Sequence, residues 1–324
     1  MVTTPARAGL QWTEIRTIAA LGEPLLELQP ADDGGARLAV GGDVANSMIC
    51  LSRMLGAKTK EISLVTALGD SSYSAWLRQW LLRAGIHIIE PSIAGEPGIY
   101  GLPLDSAGHP GFSYWRTQSA AHAFLQSADV DRFEDLLGET QLLLVTGITL
   151  ALCSNGSFEH LCLWADRHRA DCSVVFDCNF RRRLWDSDAQ ARERIGTFER
   201  LASVLATGGD DEKALWGAAN PAQIIERVSK MSAEYLIRDG SEGCWVGSGG
   251  ECRHVPTEPV AIVGDTAGAG DSHLAGYMAA RMLGYGRADA AVYANEAAAV
   301  IVSQRGSLPK EGTRFPPLPA RAPT

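Results

Sequence analysis

What this chain lacks narrows its function first. No apolar run approaches the length of about 20 residues that a membrane-spanning helix needs. Positive charge is in deficit: 29 lysines and arginines against 38 aspartates and glutamates leave a net charge of −9. That excludes a general attraction to nucleic acid or anionic membranes, so any anionic substrate must be caught by local arginines. None of the seven cysteines (Cys50, Cys153, Cys162, Cys172, Cys178, Cys244, Cys252) forms a CxxC pair, and no His/Cys group has zinc-ligand spacing. An odd number of such thiols points to a reduced, cytoplasmic protein. The first 14 residues have no long apolar core and no cleavage pattern, and are expected to be a disordered tail. The GxxxxGK[ST] phosphate loop is missing. Gly268-Ala-Gly270 is not completed by a third glycine, because position 273 is His273. Neither a P-loop enzyme nor a dinucleotide-binding dehydrogenase is supported.

What is present is a long alternation. With 46% hydrophobic and 21% charged residues over 324 positions, the chain has the makings of a soluble globular protein with a large core. Strands are expected at Arg16–Ala20, Leu25–Leu28, Ile62–Ala67, Ile86–Glu90, Leu142–Thr146, Val174–Asp177, Ser203–Thr207 and Glu234–Arg238, with a hairpin over Cys244–Val255. Helices are expected at Val44–Leu55, Ser74–Ala84, Phe158–Arg169, Ala189–Leu201, Ile224–Met231 and Ser272–Leu283. Such alternation predicts a mainly parallel sheet with helices on both faces and ligands at the carboxyl ends of its strands. Two irregular stretches, about 24–42 and 96–118, interrupt it and suit a small β lid. One domain over 15–312, with tails at 1–14 and 313–324, is the economical reading.

Five constellations bear on chemistry. The apolar run Val260–Val263, expected to be a strand, leads into Asp265-Thr-Ala-Gly-Ala-Gly-Asp271 and then a helix, a place where unpaired backbone N–H groups and the helix dipole favour an anion. Asp271, just inside the helix start, suits a base that takes a proton from a hydroxyl. A free aspartate has a pKa of about 3.9, so this group is expected to be ionised at neutral pH. Gly41-Gly42-Asp43 with Asn46 opens another helix and offers hydrogen bonds to hydroxyls. Tyr114-Trp-Arg116, with Tyr100 upstream, suits a hydroxyl-rich anion. Phe176-Asp-Cys-Asn-Phe-Arg-Arg-Arg-Leu-Trp185 ends a buried strand; Arg181 is expected to turn inward and Arg182 and Arg183 outward. Gly209-Asp-Asp-Glu-Lys-Ala-Leu-Trp216 places carboxylates where Mg²⁺ could be held through waters. Taken singly, each also fits a capped helix, a packed lid strand or a solvated charged loop.

Together the pieces resemble the ribokinase-like (PfkB) sugar kinases, over roughly residues 16–309. The Asp-Thr-preceded GAGD box, the Gly-Gly pair with Asn46, and Val65-Thr-Ala-Leu-Gly-Asp70 carry that resemblance. Within the family the chain is most similar to the kinases of 2-keto-3-deoxygluconate. The matching residues are Tyr114-Trp-Arg116 with Ser119-Ala-Ala121, Thr146-Gly-Ile-Thr-Leu-Ala151, Phe176–Trp185, and Asp210-Asp-Glu-Lys-Ala-Leu-Trp-Gly217. The resemblance implies a three-layer α/β fold with a β lid and an ATP- and Mg²⁺-dependent kinase, with room for a monovalent cation near Asp265 and the Ser303–Ser307 loop. It implies Asp271 as catalytic base, with the N–H groups of Gly268, Ala269 and Gly270 as anion hole. Gly42, Asn46, Tyr100, Tyr114, Arg116 and Arg181 would hold the sugar acid. Gly240, Gly243 and Asn295 would line the ATP side, and Glu212 would meet the metal through water. Three positions depart from the pattern: Gly209 stands for the metal motif's asparagine, Arg182 for a proline, and His273 for phenylalanine or alanine. The expected partners are a sugar acid and ATP, with no nucleic acid or membrane, and a homo-oligomer is expected. The rival readings are the same kinase acting on fructose, ribose or a related deoxy-keto acid, and a sugar-binding regulator that has lost its chemistry.

Overall fold

A computed structural model describes residues 11–31, 35–56, 60–101, 113–231, 233–263, 266–310 and 312–317. Asp265, the lid stretches 32–34 and 102–112, and parts of both expected tails lie outside the described residues.

Thirteen strands are found among the described residues: β1 (Thr17–Leu21), β2 (Leu25–Pro30), β3 (Ala36–Gly41), β4 (Glu61–Val65), β5 (His87–Ile89), β6 (Gly98–Gly101), β7 (Ser113–Trp115), β8 (Leu142–Thr146), β9 (Ser173–Asp177), β10 (Val204–Gly208), β11 (Glu234–Arg238), β12 (Cys244–Ser248) and β13 (Glu251–Val255). Nine form one sheet in the order β13-β12-β11-β10-β9-β8-β1-β4-β5. It is parallel from β11 to β5, with a hairpin making the antiparallel edge. The central strands read as unbroken apolar runs because both faces are covered. Alternate residues go to opposite sides. Ile18, Ala20, Leu142 and Leu144 join the core under helices Asp43–Leu55, Ser72–Arg83, Ala269–Met282 and Arg287–Val302. Ala19, Leu21, Leu143 and Val145 join the core under helices Ala120–Ser127, Val130–Leu137, Asn155–Arg167, Asp188–Glu199 and Pro221–Val228. The result is three layers. Each large aliphatic side chain among these contributes roughly 1.5–3 kcal/mol on burial.

The four remaining strands make a separate sheet, β3-β2-β6-β7, which is the lid. Its register sets Tyr100 of β6 opposite Tyr114 of β7. Among the described residues, no helix is long and apolar enough to cross a membrane.

Three expectations need correction. Val260–Val263 is not a strand: Val260, Ile262 and Val263 are exposed, and the run is tied to the body by a hydrogen bond from Val263 N–H to Val302 O at 2.8 Å. The sheet has already ended at β13, so that apolar run finds no strand to pair with. The helix after it begins at Ala269 rather than Ser272. Residues 11–14 are not a disordered tail. Trp12 is buried, edge-on to Tyr277 with ring centroids 6.5 Å apart and beneath the Arg281 guanidinium.

Candidate active site

The carboxyl ends of β8–β11, the starts of two helices and the lid enclose a cleft of about 850 Å³. Helix Ala269–Met282 can start there because Gly268 adopts φ 77°, and a Cβ at that position would stand 2.1 Å from Ser307 O. Only glycine fits that combination. The turn aims Asp271, the helix's third residue, into the cleft, half-buried. Across from it Gly42 (φ 101°) opens helix Asp43–Leu55, and a Cβ there would press on Glu23 O at 2.6 Å. One turn into that helix, Asn46 Nδ2 donates to Asp271 Oδ2 at 2.9 Å. Asn46 therefore orients the expected base directly.

Burial raises the Asp271 pKa to about 7, with the Asp43 carboxylate adding to the rise and the Asn46 bond opposing it. The expectation of a plainly ionised aspartate is thus corrected: this group titrates near neutrality. Asp43 is itself fixed by Thr146 Oγ1 at 2.5 Å and by Asn179 Nδ2 at 3.1 Å. Asn179 is the one non-glycine residue with positive φ among the described residues (33°), an uncommon conformation that turns its amide to Asp43 at the end of β9.

Gly268 and Gly270 line the cleft, but Ala269 does not, and its N–H donates to Thr266 O at 3.2 Å. Of the expected three-donor anion hole, the middle member is turned inward by the tightness of the αL turn. Beside it, Arg238 Nη1 and Nη2 grip Asp177 at 2.8 and 2.6 Å, and Nη1 also reaches Gly270 O at 3.3 Å. Sequence reasoning misses Arg238 as a site residue. A basic residue at the carboxyl end of a strand is the signal that could have found it.

On the lid side, Tyr100 and Tyr114 stack with centroids 5.7 Å apart. Burial, then Glu27, pushes the Tyr100 hydroxyl far up, so it stays a neutral donor. Arg116 lines the cleft, but its charge is already met. Its Nε donates to Glu23 Oε2 at 2.6 Å, its Nη2 stands 2.5 Å from the same oxygen, and the Ser119 hydroxyl donates to Oε1. Burial still holds the Glu23 pKa above its ordinary value despite that arginine.

The arginine trio is a partial correction. Arg182 turns away to Asp188 (2.6 Å), and Arg181 lines the cleft 3.6 Å from Asp211, as expected of both. Arg183 is exposed, as expected, but it also lines the cleft, with its Cζ 4.0 Å over the Tyr114 ring. A 3₁₀ turn at Arg182–Leu184 explains it, since successive side chains there leave at about 120° to one another. Burial raises the neighbouring Asp211 to a pKa of about 6, against the pull of Arg238 and Arg181.

Three expected contacts fall outside the cleft. Glu212 is fully buried: Oε1 accepts from Thr207 Oγ1 (2.9 Å) and Arg227 Nη2 (2.5 Å), and Oε2 from Arg227 Nε (3.0 Å). Its carboxylate is consumed by a buried pair, so the acids of this segment that line the cleft are Asp210 and Asp211 instead. Asn295 spends its amide on Val255 O (3.1 Å) and Pro256 O (3.2 Å), and its carbonyl faces His273 Nε2 at 3.0 Å. Burial, then Arg238, depresses His273 to a pKa of about 4, so this neutral ring is helix packing and carries no proton to the cleft. Gly240 lines the cleft, whereas Gly243 (φ 97°) serves the close approach of Val255 O.

A sheet of this order, a four-stranded lid and a carboxylate at a glycine-opened helix start together define a sugar-kinase architecture. Residues 18–312 match the pfkB family carbohydrate kinase pattern, and the chain belongs to that family. The 2-dehydro-3-deoxygluconokinase of Dickeya dadantii is 31% identical over 302 residues, covering 90% of this chain and 96% of that one. Its counterpart in Escherichia coli K12 is 31% identical over 307 residues, covering 91% and 98%. The crystal structure of 2-dehydro-3-deoxygluconokinase from Thermotoga maritima shares the fold, with a TM-score of 0.77 at 21% identity over 91% of this chain and 95% of that chain.

Proposed function

We propose that this carbohydrate kinase transfers the γ-phosphate of ATP to the 6-hydroxyl of 2-keto-3-deoxygluconate, with Asp271 as the base. The observation that carries this reading is the placement of Asp271. A carboxylate with a pKa of about 7 is held by Asn46 at a helix start, in one cleft with the lid tyrosines and arginines. The relatives named 2-dehydro-3-deoxygluconokinase supply the substrate class.

The hydroxyl to be phosphorylated donates its proton to Asp271 late, as its oxygen bonds to phosphorus, so position counts for more than basicity. Charge on the transferring group meets the Gly268 and Gly270 amides and the positive end of helix Ala269–Met282. The residues fit a polyphosphate there, because Gly268 and Gly270 line the cleft at the start of helix Ala269–Met282. Among the described residues, no cluster of three or more metal-ligating side chains is found. Because Mg²⁺ takes few direct protein ligands, it would be held mainly by nucleotide oxygens and water, with Asp210 and Asp211 as outer partners. When bound, Mg²⁺ neutralises phosphate charge. The lid keeps water from competing with the sugar.

A second reading, a neutral sugar such as fructose, is favoured by the pairing of Arg116 with Glu23. A coupled assay over 2-keto-3-deoxygluconate, its galactonate-derived epimer, fructose and ribose separates the two. The proposal expects kcat/KM for a sugar acid to exceed that for fructose by about 10²-fold or more. Best turnover on a neutral sugar would sink it.

A further inference from the structure

Arginines 116, 181, 183 and 238 line the cleft. Arg116 is paired with Glu23, Arg238 holds Asp177 with both terminal nitrogens, and Arg181 stands near Asp211. Among the described residues, no carboxylate pairs with Arg183. Its charge is carried instead by a ring face: Cζ lies 4.0 Å over Tyr114, which stacks in turn on Tyr100. A guanidinium held this way keeps its N–H donors for another acceptor. Tyr114 belongs to lid strand β7 and Arg183 to the turn after β9, so the contact spans lid and body.

We infer that Arg183 is the residue that selects a carboxylate-bearing sugar, binding the acid group as a bidentate partner against the Tyr114 face. This deepens the proposed function and rests on it. The neutralised Arg116 then shapes the lid, and the uncompensated Arg183 supplies the net attraction. An anion bound at Arg183 also meets a lid residue, so acid binding and lid position are coupled.

The test is a double cycle on 2-keto-3-deoxygluconate and its carboxamide, with wild type and Arg183→Ala. In wild type, replacing the acid by the amide lowers kcat/KM by about 10- to 100-fold, the worth of a charged hydrogen-bonded pair. Arg183→Ala lowers kcat/KM for the acid by a similar factor, mainly through KM, lowers that for the amide by several-fold less, and spares the KM for ATP. Arg183→Lys recovers only part, having charge without the planar fork. If Arg183→Ala reduces acid and amide alike, the residue is structural and the inference is overturned. It is overturned equally if the acid is unaffected while wild type still prefers it; the kinase reading then survives. If wild type does not accept the acid at all, the proposed substrate and this inference fall together.

Discussion

At the scale of single residues, the consequential feature is a carboxylate with few compensating charges. Unfolded, the Asp271 carboxyl titrates near 3.8; folded, burial and Asp43 raise it to about 7. Only the ionised form accepts a proton, so kcat/KM should climb about tenfold per pH unit below about pH 7 and level off above it. A flat profile between about pH 5 and 8 contradicts the assignment. The same shift has a cost in stability. Between those two pKa values the folded protein holds a proton that the unfolded chain has lost, so this group's contribution falls as pH rises across that window and stays low above it. Asp271→Asn should cut kcat by at least about 10²-fold. It should also stabilise the protein at pH 8 by up to about 3 kcal/mol, the full shift being discounted for cleft water. Calorimetric melting of both proteins at about pH 8 checks the second half, and a lower Tm for the variant would be the wrong sign. The candidate base was legible from its motif. Its elevated pKa was not, because Asp43 and Asp177 are remote in sequence and meet it only through the fold.

At the scale of elements, two helix starts build the site. Ala at position 268 would have to hold φ near 77° with its methyl against Ser307 O. The left-handed conformation alone costs about 1–2 kcal/mol, and relief of the clash must move the turn that aims Asp271. Gly268→Ala is expected to lose about 10²-fold in kcat/KM through misplacement, with secondary structure retained by circular dichroism. Glu212 presents the opposite case. Helix Gly209–Trp216 inserts it beneath the sheet ends, where Arg227 bridges it to Glu199. Glu212→Ala should cost about 2–3 kcal/mol in urea unfolding by leaving Arg227 Nε and the Thr207 hydroxyl without their buried acceptor, although Glu199 still pairs the arginine, while the Mg²⁺ dependence of turnover in the surviving enzyme stays as in wild type. A large shift in the Mg²⁺ requirement would restore the metal role. Element legibility followed contrast. Helix Asp43–Leu55 and strands Leu142–Thr146 and Glu234–Arg238 were plain. Helix Arg287–Val302 is not legible because its buried positions are largely alanines (Ala290, Ala291, Ala294, Ala297), which give little amphipathic signal where two helices pack closely.

At the scale of the whole molecule, the lid sheet closes one side of the cleft and the N-terminal segment fastens the helical layer that carries Asp271. Trp12 packs on Tyr277 and under Arg281, whose guanidinium is itself held by Glu234 at 2.9 and 3.0 Å. Trp12→Ala should destabilise the protein by about 3 kcal/mol in chemical denaturation without changing kcat at 25 °C. An unchanged midpoint would mean that the segment is dispensable. This anchoring was invisible in a sequence whose first residues show no periodic pattern, since a lone aromatic declares its burial only when its partners, more than 200 positions away, are folded beside it.

The order of residues alone determined the alternating strands and helices, the three-layer α/β architecture, and the glycine turn that places an aspartate at a helix start. Those properties are local: hydrophobic period, turn chemistry and the missing Cβ act over a few neighbouring positions. Tertiary structure decided which charges remain available. It took Arg116 into a pair with Glu23, sealed Glu212 against Arg227, turned Arg183 onto Tyr114, and lifted Asp271 toward neutrality. Electrostatic interaction depends on distance and on the water excluded between groups, and neither quantity exists until remote segments have packed together.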